Sequence, residues 1–394
     1  MFLMNEIEAT LTDFLFADKQ HAHLQQECLD SYEQSFAQLL EQPIFATAQA
    51  QKQTLLLNTL TALHHYHLSA SKAYANLFQH HELSALDNLS ALPYLAVRLF
   101  KHLTLQSVPD NAVFKTLYSS GTTSQTPAKV ILDRATSARQ SKVLVKILQT
   151  VLGKKRLPML IIDSASVLKA KNEYSARGAG IQGLAMFGRD HTYALDDNMQ
   201  PNWQAINAFA QRHSGQPILI FGFTFMVWQY FVKALQQESE ALVTTQLREH
   251  FAQATLLHSG GWKKLEAQKV SNTEFKASLL NVAGIERVYN FYGMAEQVGS
   301  IFLECEHGHL HAPVFADVII RHPFTLQPVA KGQQGLVQVL SALPSSYPGQ
   351  SILTEDTATF LGEDDCPCGR KGRYFLVNGR LPKTEIRGCS DTHQ

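Results

Sequence analysis

The amino-acid sequence predicts an α/β fold with a largely parallel sheet, flanked by helices and followed by a smaller β-rich region. Three observations predict it. Residues 1–90 contain no glycine and repeat apolar positions every three or four residues, which predicts helices. From about residue 110, short apolar runs alternate with helix-like segments such as 224–239, the pattern of a parallel sheet. Beyond 310, shorter runs separated by Gly and Pro predict the β-rich region.

The predicted strands divide the chain into an α/β part and a later part with shorter strands. The strands of the α/β part are 129–133, 157–163, 217–223, 255–258 and 286–292. The later, shorter strands are 318–321, 335–341, 351–360 and 373–377. The resulting division is a helical N-terminal region packed on the core (1–105), an α/β core (106–310), a β-rich subdomain (311–380) and a C-terminal tail (381–394).

The composition excludes several classes of protein. Lys plus Arg equals Asp plus Glu, 34 each, so charge favours neither a nucleic acid nor an anionic membrane as partner. The chain has neither an apolar stretch of roughly 18 residues nor a basic segment followed by a long apolar one. We therefore expect no membrane span, no signal peptide and a cytoplasmic protein. Five cysteines, an odd number in a long chain, indicate reduced thiols, metal ligands or a nucleophile.

The segment from Tyr118 to Lys129 has the composition of a phosphate-binding loop. Glycine allows close backbone approach, consecutive N–H groups form an anion nest, and hydroxyls add donors or a magnesium ligand. The segment is not a G-x-x-x-x-G-K-[ST] loop, since it has one glycine and its lysine follows a proline. A polar surface loop is the alternative. The candidate phosphate-binding residues are Ser119, Ser120, Gly121, Thr122, Thr123, Ser124 and Lys129.

Further candidates stand at the ends of predicted strands, where open α/β sheets bind their ligands. Gly260 and Gly261 follow one strand. The run Tyr292-Gly293-Met294-Ala295-Glu296 ends another and combines an aromatic ring, a flexible backbone and a carboxylate. The aromatic stretches 221–228 and 260–262 are either the lining of an apolar tunnel or plain core.

Taken in order, these elements resemble the adenylate-forming superfamily of acyl-CoA ligase-like enzymes, which activate carboxylic acids with ATP. The segment 118–129 is similar to its phosphate-binding motif, and 292–296 is similar to its Y-G-[MS]-[TA]-E motif. The resemblance covers about residues 95–394 and implies the fold of that family's N-terminal lobe, with mixed sheets, flanking helices and a small β-rich subdomain.

The resemblance also implies roles for single residues. The ring of Tyr292 would flank the adenine, and Glu296 would help to hold Mg²⁺. Asp356 would bind the ribose hydroxyls, with Glu355 and Asp364 as near alternatives, and Arg380 would be the arginine of the hinge. The implied cofactors are ATP and Mg²⁺.

The chain departs from full-length ligases after the hinge. Those enzymes continue into a mobile lobe that carries a lysine for adenylation, whereas residues 381–394 are all that follow here. We therefore expect the lobe to be truncated, with Lys129 and Lys383 as candidates to replace its lysine. The tail from Gly379 to Asp391 and the pair Phe100-Lys101 resemble the acyl-protein synthetases of the LuxE type.

That second resemblance implies an acceptor cysteine. In the LuxE-type family, ATP and a fatty acid form an acyl-AMP, the acyl group moves to a cysteine near the C-terminus, and a partner reductase (LuxC-type) then receives it. Cys389 stands at the matching position. Arg387 and His393 are close in sequence, and nearby cations lower a thiol pKa. An incidental cysteine near the chain end is the alternative. The N-terminal helical region is a candidate docking surface for the reductase.

Cysteines and histidines in 305–311 and 366–368 have the character of a metal site. Thiolate and imidazole are zinc ligands, and two close groups separated by a long loop suit a structural tetrahedral site. The Cys-x-Cys spacing is tighter than usual, so buried thiols and surface histidines are the alternative. Phenylacetate-CoA ligase-like enzymes share a cysteine, a Gly-x-His and a C-x-C-G-R. That resemblance implies the zinc ligands Cys305, His311, Cys366 and Cys368, with His307 and His309 as substitutes.

Two other functions are compatible with the sequence. A different adenylate-forming ligase of the same fold would pass the acyl group to CoA, a carrier protein or a sugar. A non-catalytic nucleotide-binding scaffold would bind ATP without acid-dependent pyrophosphate exchange. Free acyl-CoA formed without a protein-bound intermediate would distinguish the ligase from the acyl-protein synthetase.

Overall fold

The computed structural model describes residues 19–78, 87–118, 127–168, 176–237 and 241–381. The helices are α1 (Lys19–Glu41), α2 (Gln49–Ala70), α3 (Lys72–Phe78), α4 (Leu99–His102), α5 (Arg134–Leu152), α6 (Ala176–Ala185), α7 (Trp203–Arg212), α8 (Thr224–Val227), α9 (Lys233–Gln237), α10 (Ala241–His250) and α11 (Asn272–Ala283). The strands are β1 (Leu95–Ala96), β2 (Lys115–Tyr118), β3 (Lys129–Leu132), β4 (Leu157–Ser164), β5 (Gly188–Leu195), β6 (Ile218–Phe223), β7 (Ala254–Ser259), β8 (Arg287–Tyr292), β9 (Phe302–Glu304), β10 (Leu310–His311), β11 (Ala316–Arg321), β12 (Gln334–Ser341), β13 (Ser351–Glu363) and β14 (Arg373–Arg380).

The described N-terminal residues are helical, as the apolar spacing predicts, and they share the hydrophobic core of the sheet. Tyr32 and Leu39 on α1 and Leu60 on α2 have no exposed surface. The Tyr32 hydroxyl donates a hydrogen bond to the backbone oxygen of Ala342 at 3.0 Å, just beyond β12. The buried aromatic ring and its satisfied hydroxyl fix α1 against the sheet.

Helices α5 and α11 begin at residues that can cap them. The side chain of Asp133 accepts a hydrogen bond from the backbone N–H of Thr136 at 2.7 Å, and Ser271 accepts one from Glu274 at 3.1 Å. These bonds satisfy N–H groups that the first turn of a helix leaves free. Helix α11 ends at Gly284, whose φ of +68° is a left-handed conformation that favours glycine.

The parallel half of the sheet has the strand order β5-β4-β6-β7-β8. Every side chain of β6 and β7 is buried, as expected for strands covered on both faces. The sequence predicted four of these five strands. It missed β5, because this edge strand is exposed over much of its length and lacks a continuous apolar run.

The antiparallel half continues the same sheet in the order β8-β9-β10-β14-β13-β12-β11. The strands predicted between 318 and 377 correspond to β11–β14, and β1 adds to β13 in parallel. Within the described residues, the sheet therefore has 12 strands, and β8 joins its two halves. Strand β14 pairs with β13 on one side and with β10 on the other, and its last residue, Arg380, stands opposite Asp356 in the middle of β13.

One predicted strand has a different partner from the one expected. Strand β3 is not part of the parallel sheet but pairs with β2 in an antiparallel ribbon, with Tyr118 opposite Lys129. Its buried residues Val130 and Leu132 belong to the same hydrophobic cluster as Phe100 and Phe302. A hairpin partner close in sequence needs only a short loop closure, which favours the local pairing. Among the helices that the structure describes, none is long and apolar enough to cross a membrane.

Candidate functional site

The predicted phosphate loop and the predicted acceptor cysteine lie outside the described residues. The candidates from Ser119 to Ser124 connect β2 and β3, and Cys389 belongs to the tail after Leu381. The structure describes the base of the loop, where Tyr118 and Lys129 face each other across the ribbon and are both exposed.

Tyr292, Asp356 and Arg380 meet where β8, β13 and β14 come together. Asp356 stands opposite Arg380 in the β13–β14 pairing, and Arg380 Nε donates to Asp356 Oδ1 at 3.1 Å. The Tyr292 hydroxyl donates to Asp356 Oδ2 at 2.7 Å. Burial, with the neighbouring Asp356 carboxylate, raises the pKa of Tyr292 well above its usual value, so the phenol stays protonated. A carboxylate held at both oxygens keeps lone pairs free for the hydroxyls of a ligand.

The two alternative carboxylates next to Asp356 have other partners. Glu355 points to the other face of β13 and forms an ion pair with Arg98. Asp364 accepts hydrogen bonds from the backbone N–H of Gln49 at 2.9 Å and of Gly372 at 2.7 Å, and so caps α2. Asp356 is therefore the carboxylate that faces Tyr292.

Glu296 follows β8 in the short 3-10 turn Ala295–Gln297 and is 7% exposed. Burial raises the pKa of its carboxyl group to about 7, and Arg380 and Asp356 also act on it electrostatically. The hydroxyl of Tyr347 donates to the backbone oxygen of Glu296 at 2.8 Å and holds the turn. Glu296 is thus a buried carboxyl group within electrostatic range of the Asp356–Arg380 pair, and carboxylate oxygen is the ligand that Mg²⁺ prefers.

Gly293 and Met294 link Tyr292 to Glu296. Gly293 is exposed, and a Cβ at this position would lie 3.2 Å from the side chain of Ile301. Met294 is half-buried against the hydrophobic cluster of the antiparallel half, which also contacts Tyr292. The link therefore anchors the glutamate turn while leaving a segment of backbone accessible to a ligand.

Gly260 and Gly261 follow β7 at the same edge of the sheet. Ser259, the last residue of β7, donates from Oγ to a backbone oxygen of β8 at 2.8 Å. Gly260 has a φ of +83°, and a Cβ there would approach the ring of Phe223 to 3.3 Å. Both the backbone conformation and the limited space at residue 260 favour glycine. The turn therefore follows β7 closely, beside strand β8, which carries Tyr292.

The aromatic residues considered for an acyl tunnel are packed against one another. Ring centroids lie 5.7 Å apart for Phe221 and Phe223, and 5.5 Å apart for Trp228 and Trp262. Trp228 lies in a π-helical turn, Trp228–Val232, between α8 and α9 and also stacks on Phe275. These aromatic side chains therefore belong to the hydrophobic core.

Four cysteine and histidine side chains meet beyond the far end of β14. One ligand atom from each of Cys305, His311, Cys366 and Cys368 lies within 4.8 Å of all the others. Cys368 Sγ is 3.4 Å from His311 Nε2, and Cys305 Sγ is 4.0 Å from Cys366 Sγ. His309 Nδ1 lies 3.3 Å from Cys366 Sγ and is the nearest substitute. These are the four residues that the resemblance implies.

The chemistry of this Cys/His cluster fits a zinc ion. His311 is fully buried, and burial lowers its pKa to about 3, so its imidazole is neutral. Burial raises the pKa of Cys366 to about 12 and that of Cys305 above its usual value. Three thiols and a neutral imidazole, closely spaced and largely shielded from water, form a Cys₃His donor set. The backbone N–H of Arg370 lies 3.4 Å from Cys368 Sγ and supports that ligand.

Tyr347 is a site residue that sequence reasoning missed. It is fully buried, contacts Phe100 with ring centroids 6.2 Å apart, and holds the Glu296 turn. Gln297 ties the same turn to Gly349 through a 2.8 Å hydrogen bond from its Nε2. The signal in the sequence was the run Tyr347-Pro-Gly349, a turn motif carrying a large aromatic residue.

Comparison with known proteins identifies a family whose members are similar to this chain. A family model described as Acyl-protein synthetase, LuxE, matches residues 24–394. The long-chain-fatty-acid–luciferin-component ligase of Aliivibrio fischeri is 26% identical over 137 residues, which are 34% of this chain and 36% of that protein. The protein of the same name from Vibrio harveyi is 27% identical over 139 residues, 34% of this chain and 35% of that protein. The aligned part spans about a third of the length of these relatives.

Solved structures show the fold. 2-Hydroxyisobutyryl-CoA ligase in an open conformation, in complex with 2-HIB-AMP and CoA, matches with a TM-score of 0.65 at 16% identity, covering 85% of this chain and 76% of that one. The same ligase in its postadenylation state gives a TM-score of 0.66, covering 86% and 69%. The predicted fold of the adenylate-forming enzymes is thereby confirmed, and with a family model matched from residue 24 to residue 394 the chain belongs to the acyl-protein synthetase (LuxE) family.

Proposed function

We propose that the chain activates a long-chain fatty acid with ATP, forms an acyl-AMP and transfers the acyl group to its own Cys389. The observation that carries this proposal is the junction of Tyr292, Asp356 and Arg380 with Glu296 buried beside it. A fixed carboxylate beside an aromatic ring suits a ribose and a base, and a second carboxylate suits the cation that accompanies a polyphosphate.

The first step forms the adenylate. A carboxylate oxygen of the fatty acid attacks the α-phosphorus of ATP, a phosphorus–oxygen bond breaks, and pyrophosphate leaves. The chain contributes position and charge: Asp356 holds the ribose hydroxyls, and Glu296 is the residue that would hold Mg²⁺, which supplies positive charge to the phosphates. The hydroxyls from Ser119 to Ser124, Lys129 and the Gly260–Gly261 turn are the proposed phosphate contacts.

The second step forms a thioester. The thiolate of Cys389 attacks the acyl carbonyl carbon, the mixed anhydride bond breaks, and AMP leaves with the electron pair. The acyl group then passes from Cys389 to an acyl reductase, a partner inferred from the family and from the names of the luciferin-component ligases. We place this protein in the cytoplasm. We propose that 1–105, 106–310, 311–380 and 381–394 are separate functional regions of the chain. The N-terminal region is the candidate docking surface for the reductase.

Labelling of the protein itself tests the proposal. The purified chain is incubated with Mg-ATP and labelled tetradecanoic acid and run on a denaturing gel with and without hydroxylamine. We expect hydroxylamine-labile label on the wild type and on Cys28→Ser, a control at a half-buried thiol on α1, and none on Cys389→Ser.

Other outcomes select the alternatives. Label that persists in Cys389→Ser would rule out this acceptor. Release of free acyl-CoA without a labelled protein would favour a ligase that uses CoA, as the fold of 2-hydroxyisobutyryl-CoA ligase allows. ATP binding without acid-dependent pyrophosphate exchange would favour a nucleotide-binding scaffold.

We also propose a structural zinc ion at Cys305, His311, Cys366 and Cys368. Its support is the close spacing and burial of the four donor groups. Bound there, the ion would stabilise the thiolate form of the cysteines and connect the turn after β9 to the loop before β14.

A further inference from the structure

The side chain of Lys101 shows an unusual combination of burial and charge. Its ammonium nitrogen is buried and has no hydrogen-bond partner in the described part of the chain. Lys52, by comparison, is a buried lysine with partners. Its Nζ lies 3.6 Å from Asp317 Oδ1 and 3.2 Å from the backbone oxygen of Ala312. A buried ammonium group without an anion or acceptor is strongly unfavourable, so the position of Lys101 calls for an anionic partner.

Helix α4 places Lys101 beside strand β13 of the candidate nucleotide site. The preceding strand β1 pairs with β13, and the backbone N–H of Val97 extends that pairing with a 3.0 Å hydrogen bond to Leu353. Arg98 then forms an ion pair with Glu355, which precedes Asp356 in β13 and points to the opposite face of that strand. Lys101 lies three residues after Arg98 in the same helical turn, and residues at this spacing share a helix face.

The rest of α4 is anchored to the other parts of the site. Phe100 is buried in the hydrophobic cluster that Tyr292 and Met294 also contact, and its ring meets that of Tyr347. The α4 turn also packs against β3, which begins at Lys129. Lys101 is therefore carried on a turn that contacts β3 and β13 and the residue that holds Glu296.

The carboxylates nearest to α4 on β13 are engaged with other groups. Glu355 pairs with Arg98, and Asp356 accepts from Tyr292 and Arg380. Because neither carboxylate of β13 pairs with Lys101 in the described part of the chain, an anion that the reaction brings is the partner that fits this ammonium group. ATP carries negative charge along its polyphosphate, and charge shifts onto the leaving pyrophosphate as the adenylate forms.

We propose that Lys101 binds the polyphosphate of ATP in the adenylation step, an assignment that rests on the proposed function. Lys101 acts as a cation that is held in place by the packing of α4 on the hydrophobic core. It supplies a charge-assisted hydrogen bond to a phosphate oxygen and takes no part in the later transfer to the thiol, where the phosphates β and γ have already left.

Lys101→Met tests the assignment, because methionine keeps an unbranched side chain of similar length and removes only the charge. We expect ATP affinity to fall by at least about tenfold and pyrophosphate exchange to fall by about a hundredfold, while adenosine affinity stays the same. Thioester formation from chemically prepared tetradecanoyl-AMP stays within about twofold of wild type. Lys101→Arg restores part of the exchange, because its charge is retained. The control is Lys142→Met, an exposed lysine on α5.

Each result of these measurements bears on the assignment. Equal ATP affinity in wild type and Lys101→Met overturns it. Loss of both ATP and adenosine binding with a lower melting temperature assigns Lys101 a structural role and also overturns it. If the wild type binds ATP but exchanges no pyrophosphate with any acid, the proposed function fails. The assignment is then decided by binding alone, and selective weakening of ATP over adenosine supports it.

Discussion

Asp356 holds the candidate nucleotide site together, because its two carboxylate oxygens accept hydrogen bonds from residues on two other strands. Tyr292 ends β8 and Arg380 ends β14, and neither strand pairs with the other. Removing the carboxylate takes away the acceptor of the Tyr292 phenol and the ion pair between Asp356 and the Arg380 guanidinium. The ligand-binding and structural roles of Asp356 are therefore separable only by combining substitutions.

For Asp356→Ala we predict a loss of about a hundredfold in acid-dependent pyrophosphate exchange, because the proposed ribose contact and the positions of both neighbours are lost. The free energy of unfolding should fall by only about 1–2 kcal/mol, the effect of one buried donor left unsatisfied. Exchange kinetics and urea unfolding measure the two effects. Glu363→Ala, an exposed carboxylate on the same strand, is the control.

A double-mutant comparison checks the structural part. Once Asp356 is alanine, Tyr292→Phe should change the free energy of unfolding very little, since the hydroxyl has already lost its acceptor. Additive effects of the two substitutions would contradict the hydrogen bond between them.

Strand β14 connects the candidate nucleotide site to the Cys/His cluster. Near its first end, Tyr374 pairs with His311 of β10, and their rings stack with centroids 5.3 Å apart. At its other end, Arg380 meets Asp356. Arg370, just before the strand, donates from its guanidinium to two backbone oxygens of β9, at 3.0 and 3.2 Å. The geometry of the cluster thus affects where β14 places Arg380 in the candidate nucleotide site.

We predict that the freshly purified protein contains about one equivalent of zinc and that Cys366→Ala abolishes its retention. The melting temperature should fall by roughly 10 °C, because a structural metal contributes several kcal/mol to folding. Elemental analysis and calorimetry measure both effects, with Cys28→Ala as the control thiol. Less than about a tenth of an equivalent of zinc in the wild type would contradict a structural zinc site.

Buried polar groups join the N-terminal helices to the sheet across the whole molecule. Lys52 on α2 pairs with the fully buried Asp317 on β11, and Gln49 Nε2 donates to the same carboxylate at 2.7 Å. His67 on α2 is fully buried, with Nδ1 2.8 Å from Ser107 Oγ and Nε2 3.1 Å from the backbone oxygen of Pro344. The helices are therefore part of one cooperative core, and their buried histidines make stability depend on pH.

We predict that stability falls as the pH is lowered below about 6.5. Burial lowers the pKa of His67 and of His258 from 6.5 to about 3, so both stay neutral in the folded protein while the unfolded chain takes up protons. Their contribution is fully present above pH 6.5 and is lost toward pH 3. The loss is about 1.4 kcal/mol per pH unit for each histidine.

Urea unfolding between pH 7 and 5 measures this dependence. His67→Gln should make it shallower by one histidine's share, whereas His23→Gln, at an exposed position on α1, should leave it unchanged. An identical pH dependence in His67→Gln would contradict the neutral, buried state of this ring.

Local patterns were sufficient for much of the fold and for the identity of the candidate residues. Apolar runs predict β4, β6, β7 and β8, and β4, β6 and β7 are almost wholly buried, as expected for strands covered on both faces. The run 292–296 and the Cys/His pattern are recognisable from residue types and spacing alone. The edge strand β5 was missed because an exposed strand carries no such run.

Which groups face one another was decided only by the tertiary structure. The register of β13 against β14 turns Asp356 toward Tyr292 and Arg380 and turns Glu355 toward Arg98, although the two acids are adjacent in sequence. The same holds for β3, whose partner is β2, and for Tyr347 under the Glu296 turn. Local sequence sets propensity and burial, whereas register and partner choice depend on contacts between residues far apart in the chain, and those contacts form only when the whole core packs.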